Sequence, residues 1–118
     1  MTFLEKLSSK IRSHKEREPD DSYVASLNKA GLNKILEKVG EEAIELIIAA
    51  KEGDQPEKKK EVVKETADLW FHCLVLLDQF DLSASDVLDE LEARAGKSGL
   101  QEKSERGCLL YTSPSPRD

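Results

Sequence analysis

Two acidic pairs lie within the most apolar segments of this chain, and their spacing restricts how those segments can pack. Glu42 and Glu45 form one pair, Glu65 and Asp68 form the other, and each pair has i,i+3 spacing. Positions 45 and 65 are equidistant from Gln55, and so are positions 42 and 68. Gln55 lies in the segment 53–56, which reads GDQP and contains both Gly and Pro. If the chain reverses there, the four carboxylates meet at matching heights on two antiparallel helices.

Carboxylates that converge on an apolar helix surface need a cation or a donor, because an unpaired buried charge is costly. Hard divalent cations prefer oxygen ligands, so we predict a Mg²⁺ site. The alternative is a set of solvated acids paired with lysines, with Asp68 bonded to His72 at i+4. The matched register and the apolar surroundings favour the metal site. Its predicted ligands are Glu42, Glu45, Glu65 and Asp68.

Composition narrows the class of protein. The chain has 118 residues, which fits one domain, and a formal net charge of −6, which argues against a nucleic-acid surface. Its two cysteines give no disulfide framework, so a reducing compartment is expected. No apolar run is long enough for a signal peptide or a membrane span. We therefore expect a soluble cytoplasmic protein with no membrane partner.

Apolar residues recur at helical spacing throughout, with no alternating strand pattern, so the chain is predicted to be all-α. Residues 67–77 are apolar nearly all round, and a helix of that kind must be buried on every side. One hairpin in so short a chain cannot cover it. We expect an antiparallel helical bundle whose core is completed by a homodimer. Five helices are predicted. The first is ended by Pro19, and the second is a short helix capped by residues 20–22. The third covers 32–52, the fourth starts at Pro56, and the fifth runs from Ser83 to about Gly96.

Basic residues near the acidic pairs are candidates for binding substrate phosphates. Lys34 and Lys38 share a helix flank with Glu45 and are predicted to meet phosphate oxygens, although a salt-bridged surface row explains them equally well. Arg94 is a weaker candidate of the same kind. His72 is either a partner that orients Asp68 or a satisfied core histidine.

Residues 108–118 differ from everything before them: charge density falls and Ser and Pro accumulate. Their back-translation resembles a transposon-end adapter read in frame. We predict that 1–107 is the functional domain and that 108–118 is a non-native, disordered tail encoded by that adapter. The alternative is a genuine Ser/Pro-rich tail. Genomic DNA sequenced without such adapters distinguishes the two.

Several strings together resemble the all-α (MazG-type) nucleotide pyrophosphohydrolases and, more narrowly, the phosphoribosyl-ATP pyrophosphohydrolase family of histidine biosynthesis. The paired acidic motif alone is typical of the whole superfamily. The residues around it, together with the Ser-Tyr and Ser-Gly strings, are specific to the family. The likeness covers about residues 3–106. The strings are DSY at 21–23, KILEKVGEEAIE at 34–45, ETADLWFH at 65–72 and SGLQEK at 98–103.

The resemblance implies Mg²⁺-dependent hydrolysis of phosphoribosyl-ATP to phosphoribosyl-AMP and pyrophosphate. Glu45 or Glu42 would activate the attacking water, and Lys34, Lys38 and Arg94 would neutralise phosphate charge. A related enzyme that removes pyrophosphate from surplus nucleoside triphosphates would share the metal site. A helical dimerisation module without activity is the alternative from another class.

Overall fold

The computed structural model describes residues 1–96, which form five α-helices and, within that range, no β-strand. The all-α prediction is confirmed. The predicted tail and the SGLQEK string lie outside the described residues, and the domain boundaries stay a prediction. The helices are α1 (Phe3–His14), α2 (Tyr23–Ala30), α3 (Leu32–Lys51), α4 (Pro56–Asp78) and α5 (Ala84–Ala95).

Side-chain caps begin the first two helices. In α1, the Thr2 hydroxyl accepts from the Glu5 N–H at 3.2 Å, and the Glu5 carboxylate accepts from the Thr2 N–H at 2.8 Å. In α2, the Ser22 hydroxyl accepts from the Ala25 N–H at 3.1 Å, as its predicted capping role requires. Each bond satisfies a backbone donor that has no partner inside its helix.

The first helix ends earlier than Pro19, at His14. Tertiary contacts at the next residue explain the difference. The Lys15 carbonyl accepts from the Asn28 side chain at 3.4 Å, and the Lys15 ammonium lies 3.2 Å from the Asp78 carboxylate. These contacts hold the chain against α2 and α4 before the proline is reached.

A tight turn joins α3 to α4, the two helices that carry the acidic pairs. Pro56 opens α4 at a position where its missing N–H costs nothing, as the sequence indicated. Gly53 packs closely in the turn: a Cβ there would lie 3.2 Å from the Ala50 carbonyl oxygen and 3.3 Å from Val62 Cγ2. The turn therefore sets the register in which α3 and α4 pack along each other.

The core lies where α1, α2 and α3 meet the C-terminal half of α4, and it leaves other apolar surface uncovered. Ile35 is fully buried, whereas Ile47 is 59% exposed and Trp70 is 55% exposed. A second subunit would cover this surface, and the homodimer stays a prediction. The core residues are Ile11, Val24, Leu27, Ile35, Leu74, Val75 and Ala84.

Residues 1–84 form one compact unit, and the chain from Ser85 onward, with most of α5, belongs to a second. Across the described residues, no helix combines the length and apolar character needed to cross a bilayer.

We predict that Asp78→Asn lowers the free energy of unfolding by about 1–3 kcal/mol, because hydrogen bonds to a buried charged group are lost. Asp78 is 5% exposed and pairs with both Arg12 and Lys15 at 3.2 Å. Urea denaturation followed by circular dichroism measures the change. Asp81→Asn is the matched control: its side chain is 85% exposed and lies 3.7 Å from Arg12, so a shift within about 0.5 kcal/mol is expected. Equal losses in both variants would contradict the prediction.

Candidate metal centre

Three of the four predicted carboxylates, carried by α3 and α4, lie close together. Glu42, Glu45 and Glu65 each offer an oxygen atom such that all three atoms lie within 4.8 Å of one another. Glu42 is buried, Glu65 is half-buried and Glu45 is exposed. The i,i+3 pair on α3 thus points toward α4, and Glu65 meets it from the opposite helix.

Two oxygens in this cluster have no hydrogen-bond partner in the described part of the chain. They are Oε2 of Glu42 and Oε2 of Glu65, and both atoms are buried. The other oxygen of Glu42, Oε1, lies 3.8 Å from the Lys38 ammonium, and the Glu42 side chain is only 10% exposed. Buried acceptors without donors are costly. An all-oxygen donor set with unpaired, inward-facing atoms suits a hard divalent cation.

The electrostatics of the cluster show the same need for positive charge. The pKa of Glu65 is raised above its ordinary value, first by desolvation and next by a hydrogen bond with Glu45. The charges of Glu45, Asp68 and Glu42 raise this pKa further. Desolvation and the neighbouring negative charges both disfavour ionisation of Glu65, so a positive charge bound among these carboxylates would be favourable.

Asp68, the fourth predicted ligand, is not part of the 4.8 Å group, although its charge reaches Glu65. His72, one turn later, bonds the backbone carbonyl of Asp68 at 2.8 Å. His72 therefore bonds the peptide group of Asp68. A histidine that orients the Asp68 side chain, the first of the two predicted roles, would bond its carboxylate instead. With its other nitrogen bonded to Tyr23 at 2.8 Å, His72 is a satisfied, buried histidine.

The predicted phosphate-binding residues have different surroundings. Lys38 lies beside the cluster, 3.8 Å from Glu42 and 3.9 Å from Glu41. Lys34 forms an i,i+3 ion pair with Glu37 at 3.3 Å, which is the salt-bridged arrangement that competed with a phosphate role. Arg94 lies on α5 in the second compact unit and pairs with Glu90 at 2.6 Å. Their roles toward substrate stay predictions.

A groove of about 250 Å³ extends from the cluster toward the α3–α4 turn. Glu45 and Glu65 form one end of it, and Lys58 and Glu52 pair at 3.4 Å along it. Its lining residues are Glu45, Ile48, Ala49, Glu52, Lys58, Glu61 and Glu65. The groove gives solvent and a small ligand access to the carboxylates.

One contact was missed by reasoning from the sequence. Tyr23 was noted only in a motif, and its bond to His72 joins residues 49 positions apart.

Comparison with known proteins identifies the family of this chain. Residues 4–95 match the family model described as "Phosphoribosyl-ATP pyrophosphohydrolase". The chain is similar to proteins named phosphoribosyl-ATP pyrophosphatase from Burkholderia cenocepacia (strain HI2424), Burkholderia ambifaria (strain MC40-6) and Burkholderia orbicola (strain AU 1054). Each is 50% identical over 103 residues, which cover 87% of this chain and 85% of the relative. The matched range contains all four predicted metal ligands.

We predict that Glu65→Gln raises the melting temperature of the metal-free protein at neutral pH. Because the pKa of Glu65 is raised on folding, the native state binds the proton more tightly than the unfolded state. This group's contribution to stability therefore falls as pH rises from the ordinary carboxyl pKa through the raised one. Glutamine removes that penalty. The gain should be largest above the raised pKa and should disappear below the ordinary value.

Calorimetric melting in EDTA across that pH range measures the gain. Glu61→Gln is the control, since Glu61 is exposed, lies on the same helix and lines the same groove. Its effect should stay within about 0.5 kcal/mol at every pH. A Glu65→Gln protein that melts no higher than the wild type at neutral pH would contradict the assigned environment.

Proposed function

Since this chain belongs to the phosphoribosyl-ATP pyrophosphohydrolase family, we propose that it hydrolyses phosphoribosyl-ATP to phosphoribosyl-AMP and pyrophosphate with Mg²⁺ as its cofactor. The reaction is the second step of histidine biosynthesis. The observation that carries the metal-dependent part is the cluster of Glu42, Glu45 and Glu65 within 4.8 Å, with two buried oxygens lacking partners. The match over residues 4–95 supports the choice of substrate.

The proposed ligands are Glu42, Glu45, Glu65 and Asp68, the last from the turn that follows Glu65. Mg²⁺ held by these residues would neutralise phosphate oxygens and the charge that develops at phosphorus. Lys38, beside Glu42, is proposed to bind a phosphate oxygen. Lys34 and Arg94 are proposed for the same role, and each would have to exchange an acidic neighbour for the substrate.

The proposed general base is Glu45, with Glu42 as the alternative. A base must reach the water whose proton it removes. Glu45 is exposed and lines the groove, whereas Glu42 is buried beside Lys38. A water molecule in the groove therefore reaches Glu45 more readily than Glu42.

The proposed assembly is a homodimer that covers the exposed apolar surface of α3 and α4. Ile44, Ile47, Ile48, Val63 and Trp70 are all more than half exposed in the single chain. Large exposed apolar side chains that share one helical pair are typical of a protein interface. The cytoplasmic location expected from the cysteine content stays a prediction.

We predict that the purified protein releases pyrophosphate from phosphoribosyl-ATP in Mg²⁺ and loses this activity in EDTA. A panel of nucleoside triphosphates should react far more slowly. Removing a partner outside the ligand shell of a metal typically costs about 10–100-fold, so Glu42→Gln and Asp68→Asn should each cost at least about 100-fold. Both variants should also lose the rise in melting temperature that Mg²⁺ gives the wild type.

Glu16→Gln serves as the control, because Glu16 is exposed and lies outside the cluster and the groove. It should keep full activity. A preference for free nucleoside triphosphates would replace the proposed substrate with that of the related hydrolases. No release from any substrate, and no thermal response to Mg²⁺, would favour the dimerisation module.

We predict that the wild-type chain, of 13.2 kDa, sediments as a dimer and that Trp70→Glu shifts it toward the monomer. A buried unpaired carboxylate at an apolar interface is strongly unfavourable. Sedimentation velocity at several concentrations measures the shift. Lys29→Glu, an exposed charge change at the end of α2, should leave the dimer intact. A wild-type monomer at micromolar concentration would contradict the proposed assembly.

A further inference from the structure

His72 is a buried side chain whose two ring nitrogens are both engaged. Nδ1 lies 2.8 Å from the Asp68 carbonyl oxygen, and Nε2 lies 2.8 Å from the Tyr23 hydroxyl. His72 is 6% exposed and Tyr23 is 51% exposed, so the bond between them is partly buried. The two bonds form one continuous connection from the first residue of α2 to the backbone of α4 beside the acidic cluster.

The chemistry of the partners sets the direction of this connection. A carbonyl oxygen can only accept, so Nδ1 of His72 carries the proton and donates to Asp68. In the neutral ring Nε2 then accepts, and the Tyr23 hydroxyl donates to it. With an uncharged imidazole, this assignment of donors and acceptors is the one that satisfies both hydrogen bonds.

Ring packing restrains the same residues. Tyr23 stacks on Phe71 with centroids 6.1 Å apart and planes 23° apart. Both rings meet His72 edge-on, at 5.7 Å and 5.3 Å. Ser22, which caps α2, fixes the backbone from which Tyr23 projects. The imidazole therefore has little freedom to rotate away from Asp68.

We infer that Tyr23 and His72 are positioning residues that fix the turn of α4 carrying Glu65 and Asp68 relative to the carboxylates of α3. This inference rests on the proposed function, because it concerns the same cation site. The Asp68 peptide accepts from His72, and Glu65 lies less than one turn before it on the same helix. A shift of this turn alters the separation between Glu65 and the α3 carboxylates.

The test compares two single deletions of a hydrogen bond made by α2. Tyr23→Phe removes the hydroxyl that bonds His72 and keeps the ring that stacks on Phe71. Gln79→Ala is the control: Gln79 follows the last residue of α4, far from the cluster, and donates to the Asn28 side chain at 3.0 Å. Both variants lose one bond to α2, and only the first bond leads to Asp68.

Three quantities are measured for each protein: the Mg²⁺ dissociation constant by titration calorimetry, the Mg²⁺ concentration for half-maximal pyrophosphate release, and KM against kcat for phosphoribosyl-ATP at saturating Mg²⁺. For Tyr23→Phe, we expect both Mg²⁺ values to rise about tenfold, the low end for loss of an outer partner of a metal site. KM should change little. Gln79→Ala should keep both Mg²⁺ values within about twofold of the wild type, since its site geometry is untouched.

The outcomes separate this inference from the function on which it rests. A wild-type protein that neither binds Mg²⁺ nor releases pyrophosphate contradicts the proposed function. An active wild type whose Tyr23→Phe and Gln79→Ala variants respond alike to Mg²⁺ leaves the function in place and overturns the positioning role. In that case the bond serves only the stability of the fold.

The tautomer gives an independent spectroscopic readout. Long-range ¹⁵N–¹H spectra of the imidazoles report which nitrogen bears the proton, and the chain has only two histidines. His14→Gln assigns the remaining signal to His72. A proton on Nδ1 is expected. A wild-type His72 with its proton on Nε2 would break the connection to Asp68 and overturn the inference.

Discussion

The structure depends on one electrostatic constraint: three carboxylates are kept within 4.8 Å of one another between two helices. Like charges at this distance repel, and partial burial strengthens the repulsion. The register of α3 against α4 nevertheless holds them together, because the apolar surfaces of the two helices pack along the hairpin. The raised pKa of Glu65 and the nearby ammonium of Lys38 both reflect this conflict. A divalent cation bound there would relieve this repulsion more completely than one lysine does.

Two other helices of the first compact unit, α1 and α2, contact this hairpin. α1 reaches the end of α4 through ion pairs of Arg12 and Lys15 with Asp78, and α2 reaches its middle through Tyr23 and His72. These contacts, together with the core around Val75, pack the C-terminal part of α4 against α1 and α2. The N-terminal part of α4 lines the groove. A packed end and an accessible end thus lie on one helix, with Glu65 between them.

Much of this arrangement could be predicted from the sequence, because helices are periodic and the turn was recognisable. The positions of Gly53 and Pro56 and the spacing of the acidic pairs were enough to predict that Glu42, Glu45 and Glu65 meet, although the same pattern also placed Asp68 with them. The end of α1 at His14 and the bond between Tyr23 and His72 could not be predicted in this way. They depend on the angles at which α1 and α2 cross α4, and local periodicity carries no information about crossing angles. For the same reason, the sequence pattern could not predict that Asp68 lies outside the group formed by Glu42, Glu45 and Glu65.

Insertions in a surface turn are ordinarily tolerated, since loops absorb changes in length. The turn that packs Gly53 against Val62 is different. If α4 keeps its packing direction, one added residue displaces its side chains by about 1.5 Å along the axis and about 100° around it. Glu65 would then leave the carboxylates of α3 without any ligand having been replaced. The number of residues in this turn is therefore subject to the same functional restriction as the identity of the acids themselves.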